Sequence, residues 1–589
     1  MRGIVATLAT VWRIASPYFR SEDRWAGRLL LAAIIAIELG IVAITVLINQ
    51  WNARFYNALQ DRNWDSFVYE LGYFCVLATI FIIAAVYQLY LNQWLQIRWR
   101  RWMTQAYLGH WLEGSNHYRM QLLGDAADNP DQRIAEDVRL FIEGGILPLG
   151  LGLLNSIVTL GSFSVILWSL SAAAPLHVFG VVWNIPGYLF WAALIYAVIG
   201  TALTHWIGKP LVALNYQQQR YEADFRFNLV RVRENAEQIA LLEGETAERD
   251  QLAGRFARLA DNWMAIMSRT KRLTFLTAGY GQVATVFPFI VTSPAYFAGA
   301  VQLGGLMQTA SAFGSVQGAM SFFVDAYRRL AEWNAVIERL DGFDRSILTA
   351  RNVAATPPAI VVEPGAAAAV EIKDLAVRLP NGAPLVSASD FTIAAGDKVL
   401  VTGPSGSGKS TLFRALAGIW PFGSGTIRVP KGAKVMTLPQ RPYFPIASLT
   451  DAVAYPAEPG THGSTEIARL IDEVGLPALA ARVEQEAHWN RMLSLGEQQR
   501  LGIARALLLK PDYLFLDEAT ASLDEAAEAA VYRLLAERLP DTTIVSIGHR
   551  STLMAFHSRR ITIEPEASGA RMSEQPAVRR SGIAPAAEQ

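Results

Sequence analysis

Gly403-Pro-Ser-Gly-Ser-Gly-Lys-Ser-Thr411 is the stretch whose reading decides the architecture of the C-terminal part of the chain. It follows the apolar run Lys398-Val-Leu-Val-Thr402 and precedes Leu412-Phe-Arg-Ala-Leu416, so the spacing predicts strand, glycine loop and helix. Gly403, Gly406 and Gly408 let backbone N–H groups curl around phosphate oxygens, and the helix N-terminus behind them favours negative charge. In this Walker A arrangement Lys409 reaches the β- and γ-phosphates and the Ser410 hydroxyl holds Mg²⁺. Ser405 and Thr411 complete the candidate set for ATP.

The chain has 589 residues, too many for one ordinary core, so at least two domains are expected. Hydrophobic residues make up 52% and charged residues 18%, and the apolar surplus is concentrated before residue 330. The formal net charge is zero, which gives no argument for a nucleic-acid partner. One cysteine, Cys75, excludes an internal disulfide and a cysteine zinc site. No cleavable signal peptide is expected, because residues 1–24 lack its apolar core.

A bilayer core of about 30 Å needs about 20 apolar residues of helix. Six stretches qualify: Leu29–Ile48, Leu71–Trp94, Ile146–Leu170, Tyr188–Trp206, Leu273–Phe297 and Leu306–Val324. Arg2, Arg13, Arg20, Arg24 and Arg28 precede the first; Arg98, Arg100 and Arg101 follow the second; Lys209, Arg220, Arg226, Arg231, Lys271 and Arg272 lie between the fourth and fifth. The stretches Ser171–Gly187 and Ala298–Gly305 carry no Lys or Arg. The positive-inside rule therefore expects both termini in the cytoplasm, where ATP is. The long segments 96–145 and 207–272 read as membrane helices running on into the cytoplasm. The expected division is a transmembrane domain over 1–340, a linker over 341–369, an α/β ATPase domain over 370–563 and a disordered tail over 564–589.

Further motifs lie downstream of the glycine loop. Tyr513-Leu-Phe-Leu-Asp517-Glu518 predicts a buried strand that delivers two carboxylates. Asp517 is placed to hold Mg²⁺ and Glu518 to polarise the attacking water. Leu493-Ser-Leu-Gly-Glu-Gln-Gln-Arg500 lies between, and here the chain resembles the ATPase domain of ABC transporters, whose signature reads LSGGQ or a close variant. Ser494, Gly496, Glu497 and Gln498 match; Leu495 replaces the usual first glycine. The resemblance implies that Ser494 and Gly496 complete the ATP pocket of a second subunit. It implies a Q-loop role for Gln440, which contacts Mg²⁺, a D-loop role for Ala521-Ser-Leu-Asp524, and a switch role for His549 at the γ-phosphate. The region Val377-Arg-Leu-Pro-Asn381 lacks the aromatic on which this family usually stacks adenine.

Six spans and one ATPase domain make half a transporter, so a homodimer is expected, and the span order and long intracellular helices resemble the exporter-type (type IV) fold. Leu412-Phe-Arg-Ala-Leu-Ala-Gly-Ile-Trp-Pro421, Pro439-Gln-Arg-Pro-Tyr-Phe444 and Asn129-Pro-Asp-Gln-Arg-Ile134 with Asp137 resemble subfamily D, which holds the peroxisomal fatty-acyl transporters. Trp51-Asn-Ala-Arg-Phe-Tyr-Asn-Ala-Leu-Gln60 and Ile185-Pro-Gly-Tyr188 look more like bacterial proteins related to the SbmA/BacA peptide-uptake group. That resemblance implies a bacterial inner membrane and uptake of hydrophilic cargo: antimicrobial or symbiotic peptides, bleomycin or cobalamin. A lipid or fatty-acyl translocator is the alternative, and an ATP-gated channel or regulator a second one. Glu38, an ionisable group within the first span, either lines the cargo cavity or partners a neighbouring helix.

Overall fold

The computed structural model describes residues 2–124, 129–173, 176–178, 181–183, 185–566 and 569–575. The chain divides into two units, residues 1–108 with 129–343 and residues 109–128 with 344–589.

The first unit is built from helices α1 (Arg2–Ala15), α2 (Arg24–Gln60), α3 (Trp64–Leu112), α4 (Leu147–Ala173), α5 (Tyr188–Glu234), α6 (Glu245–Phe297) and α7 (Leu303–Ala355). Among the described residues, five helices are long and apolar enough to cross a membrane, and they fall in α2 to α6. The sixth expected span, Leu306–Val324, belongs to the continuous helix α7 and is less apolar than the other five. Gln308, Gln317 and a run of small residues dilute it. Its Thr309, Ala312, Phe313 and Val316 are buried, a setting in which small and polar side chains contact helices rather than lipid.

Helices α5 and α6 have 47 and 53 residues, about 70 and about 80 Å at the usual rise, so each continues well beyond a bilayer core. They pair along their length. Tyr196 and Tyr280 stack at 4.4 Å, and each hydroxyl donates to the other's carbonyl, at 2.6 and 3.0 Å. Gly200 permits this approach, because a Cβ there would meet the Tyr280 ring at 2.3 Å. Further along, Asn262 Nδ2 donates to Leu214 O at 3.0 Å and Gln218 Oε1 at 2.9 Å, and Arg231 pairs with Glu248 at 2.7 Å.

Between α3 and α4 the backbone forms two π-helical turns, Arg133–Asp137 and Leu140–Ile146. Asp137 is 1% exposed and accepts from Arg133 Nη1 at 2.6 Å and from Arg339 Nε of α7 at 2.9 Å. Trp333 Nε1 donates to Phe141 O at 3.1 Å, over Gly145, where a Cβ would strike the indole.

The second unit is the α/β domain. Its strands are β1 (Val361–Gly365), β2 (Ala369–Arg378), β3 (Pro384–Ala388), β4 (Phe391–Ala394), β5 (Lys398–Thr402), β6 (Gly423–Pro430), β7 (Val435–Leu438), β8 (Tyr513–Asp517), β9 (Thr543–Ile547), β10 (Arg559–Glu566) and β11 (Gly569–Gln575). They follow the order β1-β6-β2-β3-β11-β10-β5-β9-β8-β7, with β4 on β2. The run β10-β5-β9-β8-β7 is parallel, and its central strands are buried nearly throughout, as both-face coverage requires. Helix α8 (Lys409–Leu416) packs on one face with the antiparallel strands. Helices α9 (Leu495–Leu509) and α10 (Glu525–Arg538) cover the other. The short helix Asn116–Leu122 belongs to this unit, with Leu122 packed against the α8 core.

Two boundaries differ from expectation. The linker over 341–369 holds the end of α7, to Ala355, and strand β1, which pairs in parallel with β6. Alanine is as good a helix former as a linker residue, and Ile347 and Ala350 are buried, so the helix continues. The tail expected to be disordered from Glu564 instead completes β10 and forms β11, with Ala570 and Met572 buried against the sheet. Residues 576–589 lie outside the described residues.

Behind β9, half-buried His557 receives Ser546 at 2.9 Å on Nε2 and meets Leu553 O at 2.7 Å through Nδ1, which fixes the neutral tautomer. Burial pushes this imidazole below its ordinary 6.5.

Two outcomes follow from this packing. Asp137→Ala leaves Arg133 buried and unpaired, and should lower the unfolding free energy by about 3–5 kcal/mol, read as an earlier melting transition in detergent. Because the folded-state pKa of His557 lies below the unfolded one, acid protonates the unfolded chain first. The intact protein should therefore lose thermal stability as pH falls from about 7 to about 5.5, and His557→Gln should flatten that loss.

Candidate functional site

The glycine loop leaves the C-terminal end of β5 and enters α8. Gly408 sits at φ +90° as the N-cap of α8; a Cβ there would meet Val386 at 2.5 Å and Leu385 at 2.8 Å. Gly406 has φ +78° with open space where a Cβ would stand, so its requirement is conformational. Lys409 is buried and donates to the carbonyls of Gly403 at 2.9 Å and Pro404 at 2.8 Å. Burial pushes its ammonium pKa down, against the pull of Glu518 and Asp517. Ser405 and Gly406 are exposed at the loop's tip, and Thr411 lies half-buried in the first turn of α8.

Ser410 Oγ donates to Asp517 Oδ1 at 2.8 Å, bringing the end of β8 to the start of α8. Burial raises the Asp517 carboxyl and the Ser410 bond partly offsets this. Glu518 follows at φ +52°, a left-handed conformation that costs a non-glycine residue about 1–3 kcal/mol and that clusters at active sites. Its carboxylate accepts from Gln440 Nε2 at 3.3 Å and faces His549 Nε2 at 3.4 Å. Gln440, Asp517, Glu518, His549 and the glycine loop therefore stand together at one edge of the sheet.

These residues fit a nucleotide triphosphate. Among the described residues Ser407 Oγ, buried within the loop, has no hydrogen-bond partner, an orphan donor of the kind a phosphate oxygen satisfies. The helix N-terminus and Lys409 supply positive potential beside it. The contacting pair Ser410 and Asp517 gives the two oxygen donors that Mg²⁺ takes from protein when phosphate and water complete its shell.

Ser494 and Gly496 stand elsewhere, at the N-terminus of α9. Ser494 is the N-cap of a capping box with Glu497. Among the described residues no hydrogen bond joins Ser494, Gly496 or Glu497 to the loop 403–411. A Cβ on Gly496 would meet Ser522 O at 3.4 Å, so the tip rests on the D-loop. Asp524 caps α10, accepting from Ala527 N at 2.7 Å. Glu38 lies in the membrane unit, buried, and accepts from Asn155 Nδ2 of α4 at 2.6 Å.

Three residues outside the motif reading hold this site. Gln499 donates to Gln440 O at 3.0 Å and Glu518 O at 3.4 Å, and accepts from Ser522 N at 3.0 Å. Arg550 donates to Leu523 O at 2.7 Å and Ala521 O at 3.3 Å, and pairs with buried Glu528 at 3.4 Å. Arg505 donates to the carbonyls of Tyr443 and Ala452, both at 2.8 Å, and its guanidinium, pushed down to about 10 by burial, lies over the Phe444 ring. Each follows a recognised motif by one to a few residues, and that proximity was the only signal of them in the sequence.

Comparison with known proteins identifies the family. Residues 14–297 match the family described as ABC transporter transmembrane region 2, and residues 386–521 match ABC transporter. The chain is 34% identical to the inner membrane ABC transporter ATP-binding protein YddA of Escherichia coli, covering 91% of this chain and 94% of that one. It is 34% identical to ABC transporter D family member 2, chloroplastic, of Arabidopsis thaliana, covering 94% and 86%. It is 26% identical to the human lysosomal cobalamin transporter ABCD4, covering 79% of each. A solved bacterial Atm1-family ABC exporter with ATP bound superposes with a TM-score of 0.70 at 17% identity, over 94% of this chain and 97% of that one, which shows the shared fold. The chain belongs to the ABC transporter family: it is a half-transporter related to subfamily D, with an exporter-type membrane domain ahead of an ATPase domain that couples ATP hydrolysis to transport.

Proposed function

We propose that two copies of this chain form an importer of hydrophilic cargo, peptides first among them, driven by two ATP molecules held between the copies. The observation that carries the reading is the separation of Ser494 and Gly496 from the chain's own glycine loop, while Lys409, Ser410, Asp517, Glu518, Gln440 and His549 converge on it. Half of a phosphate site faces outward on each part, and a second copy supplies the missing half to both.

In this mechanism Lys409 and the loop amides hold the β- and γ-phosphates. Ser410, Asp517 and Gln440 would hold Mg²⁺, which would supply positive charge against that developing on the transferred phosphoryl group. Glu518 takes a proton from the attacking water, and His549, 3.4 Å from that carboxylate, bonds the γ-phosphate oxygens. Closure of the pair turns the membrane helices and changes the side on which cargo is exposed. Both termini and the ATPase domain lie in the cytoplasm, following the distribution of Arg and Lys.

Support for the cargo class comes from the resemblance of Trp51–Gln60 to the peptide-uptake group and from kinship to a protein named for cobalamin, which is also polar and bulky. Glu38, held by Asn155 within the membrane unit, is the group on the cargo path in this reading.

Glu518→Gln should bind ATP and turn it over about 10²–10⁴ times more slowly, the usual worth of a positioned base, while trapping an ATP-dependent dimer. Cells lacking their own peptide importers should become sensitive to a toxic peptide with the intact chain and not with Glu518→Gln. Lipid-stimulated ATPase activity without peptide sensitivity would instead establish the fatty-acyl translocator. Glu38→Gln should reduce that sensitivity several-fold with basal ATPase activity retained; unchanged uptake would remove Glu38 from the cargo path.

A further inference from the structure

Glu497 is engaged in a way that its place in the signature does not require. Its Oε2 accepts from Ser494 N at 2.8 Å and from the Ser494 hydroxyl at 2.7 Å, while Glu497 N donates to Ser494 Oγ at 3.4 Å. The hydroxyl proton of Ser494 is therefore committed to a carboxylate, in a charge-assisted bond of the stronger kind. The proposed two-copy site needs that same proton at the γ-phosphate of the partner's nucleotide.

We infer that Glu497 is a positioning residue that opposes closure: it retains the Ser494 proton in the separate chain and sets the ATP concentration at which two copies close. Two effects act in the same direction. The hydroxyl must leave the carboxylate before it can donate to phosphate. The carboxylate then remains one side chain away from a phosphate of like charge, and like charges brought together at an interface weaken it.

The helix cap does not explain the choice of glutamate. Glutamine in the third helical position closes a capping box equally well, with its side-chain oxygen on the same backbone N–H. It carries no charge and competes more weakly for the serine proton. A carboxylate here adds nothing to the local fold that an amide would not, and it raises the nucleotide threshold. A half-transporter with such a threshold would idle less when ATP is scarce.

The inference rests on the two-copy reading, and one experiment separates the two. Steady-state ATPase activity of the full-length protein in lipid nanodiscs is measured against MgATP concentration for wild type, Ser494→Ala and Glu497→Gln. Glu497→Gln should lower KM about tenfold without raising kcat, with an unchanged melting temperature, and added salt should narrow the difference by screening the repulsion. A role confined to the cap predicts no KM change in Glu497→Gln, and that result with Ser494→Ala impaired would overturn the inference alone. Full activity in Ser494→Ala would overturn the two-copy reading together with it. Glu497→Ala, which removes cap and charge together, should lower both the melting temperature and KM; a raised KM in that variant also counts against the inference.

Discussion

Parallel pairing of four strands is the constraint on which the site depends. Leu400 of β5, Ser546 of β9, Leu516 of β8 and Leu438 of β7 stand in one hydrogen-bonded row. Because the strands run the same way, everything two or three residues past that row emerges on one edge. Gly403, His549, Glu518 and Gln440 are those residues. Neighbouring strands lie about 4.8 Å apart, so four of them bring these groups within reach of a single triphosphate. Antiparallel pairing would have sent alternate ends to opposite edges. The convergence of these residues on one edge is thus a property of topology, and the loops only refine it.

That dependence explains what was legible in the sequence. The glycine loop, the Asp517–Glu518 pair and His549 could be read because each is a local pattern at the end of an apolar strand. Their convergence needed only the rule that ligands bind at the carboxyl ends of parallel strands. Ser407, Gln499, Arg505 and Arg550 were not legible, since each earns its role through a carbonyl or a burial state set by distant chain. Arg550 illustrates this: the D-loop carbonyls it holds lie 27 and 29 residues away. The boundary differences have a related cause. Alanine-rich and charged stretches carry no strong periodic signal, and the end of α7 and strand β11 are fixed by tertiary partners such as Ile347 and Met572.

In the membrane unit the same logic runs through polar groups in apolar surroundings. Asp137 sits between two arginines, Glu38 against Asn155, and Asn49 donates to the Gln308 carbonyl at 3.0 Å. The bonds of Asp137 to Arg339, Glu38 to Asn155 and Asn49 to Gln308 each fix one helix against another at a defined register, because an unpaired polar group there is costly. Leucine-rich faces alone would slide, since lipid solvates them as well as another helix does. The apolar composition therefore selects the membrane, and a few polar residues select the arrangement within it. This also accounts for α7, whose glutamines and small residues place it below the other helices in apolarity while it contributes buried partners to several of them.

The segment 109–124 bears on what the glycine-loop helix packs against within its own unit. By sequence it continues α3, yet it folds with the ATPase unit, where Leu122 joins the core beneath α8 and Tyr118 feels the charge of Arg414 on that helix. Helix α8 begins at Lys409 and Ser410, so this segment packs beneath the helix that carries the end of the glycine loop. Arg505 and Gln499 act similarly on the other face, tying α9 to the Gln440 segment through backbone carbonyls. Carbonyls held by buried side chains move as one body with them, and close-packed interiors transmit such shifts instead of damping them. Helix α8, the segment 109–124 and the Gln440 segment are thus held by short contacts within the ATPase unit.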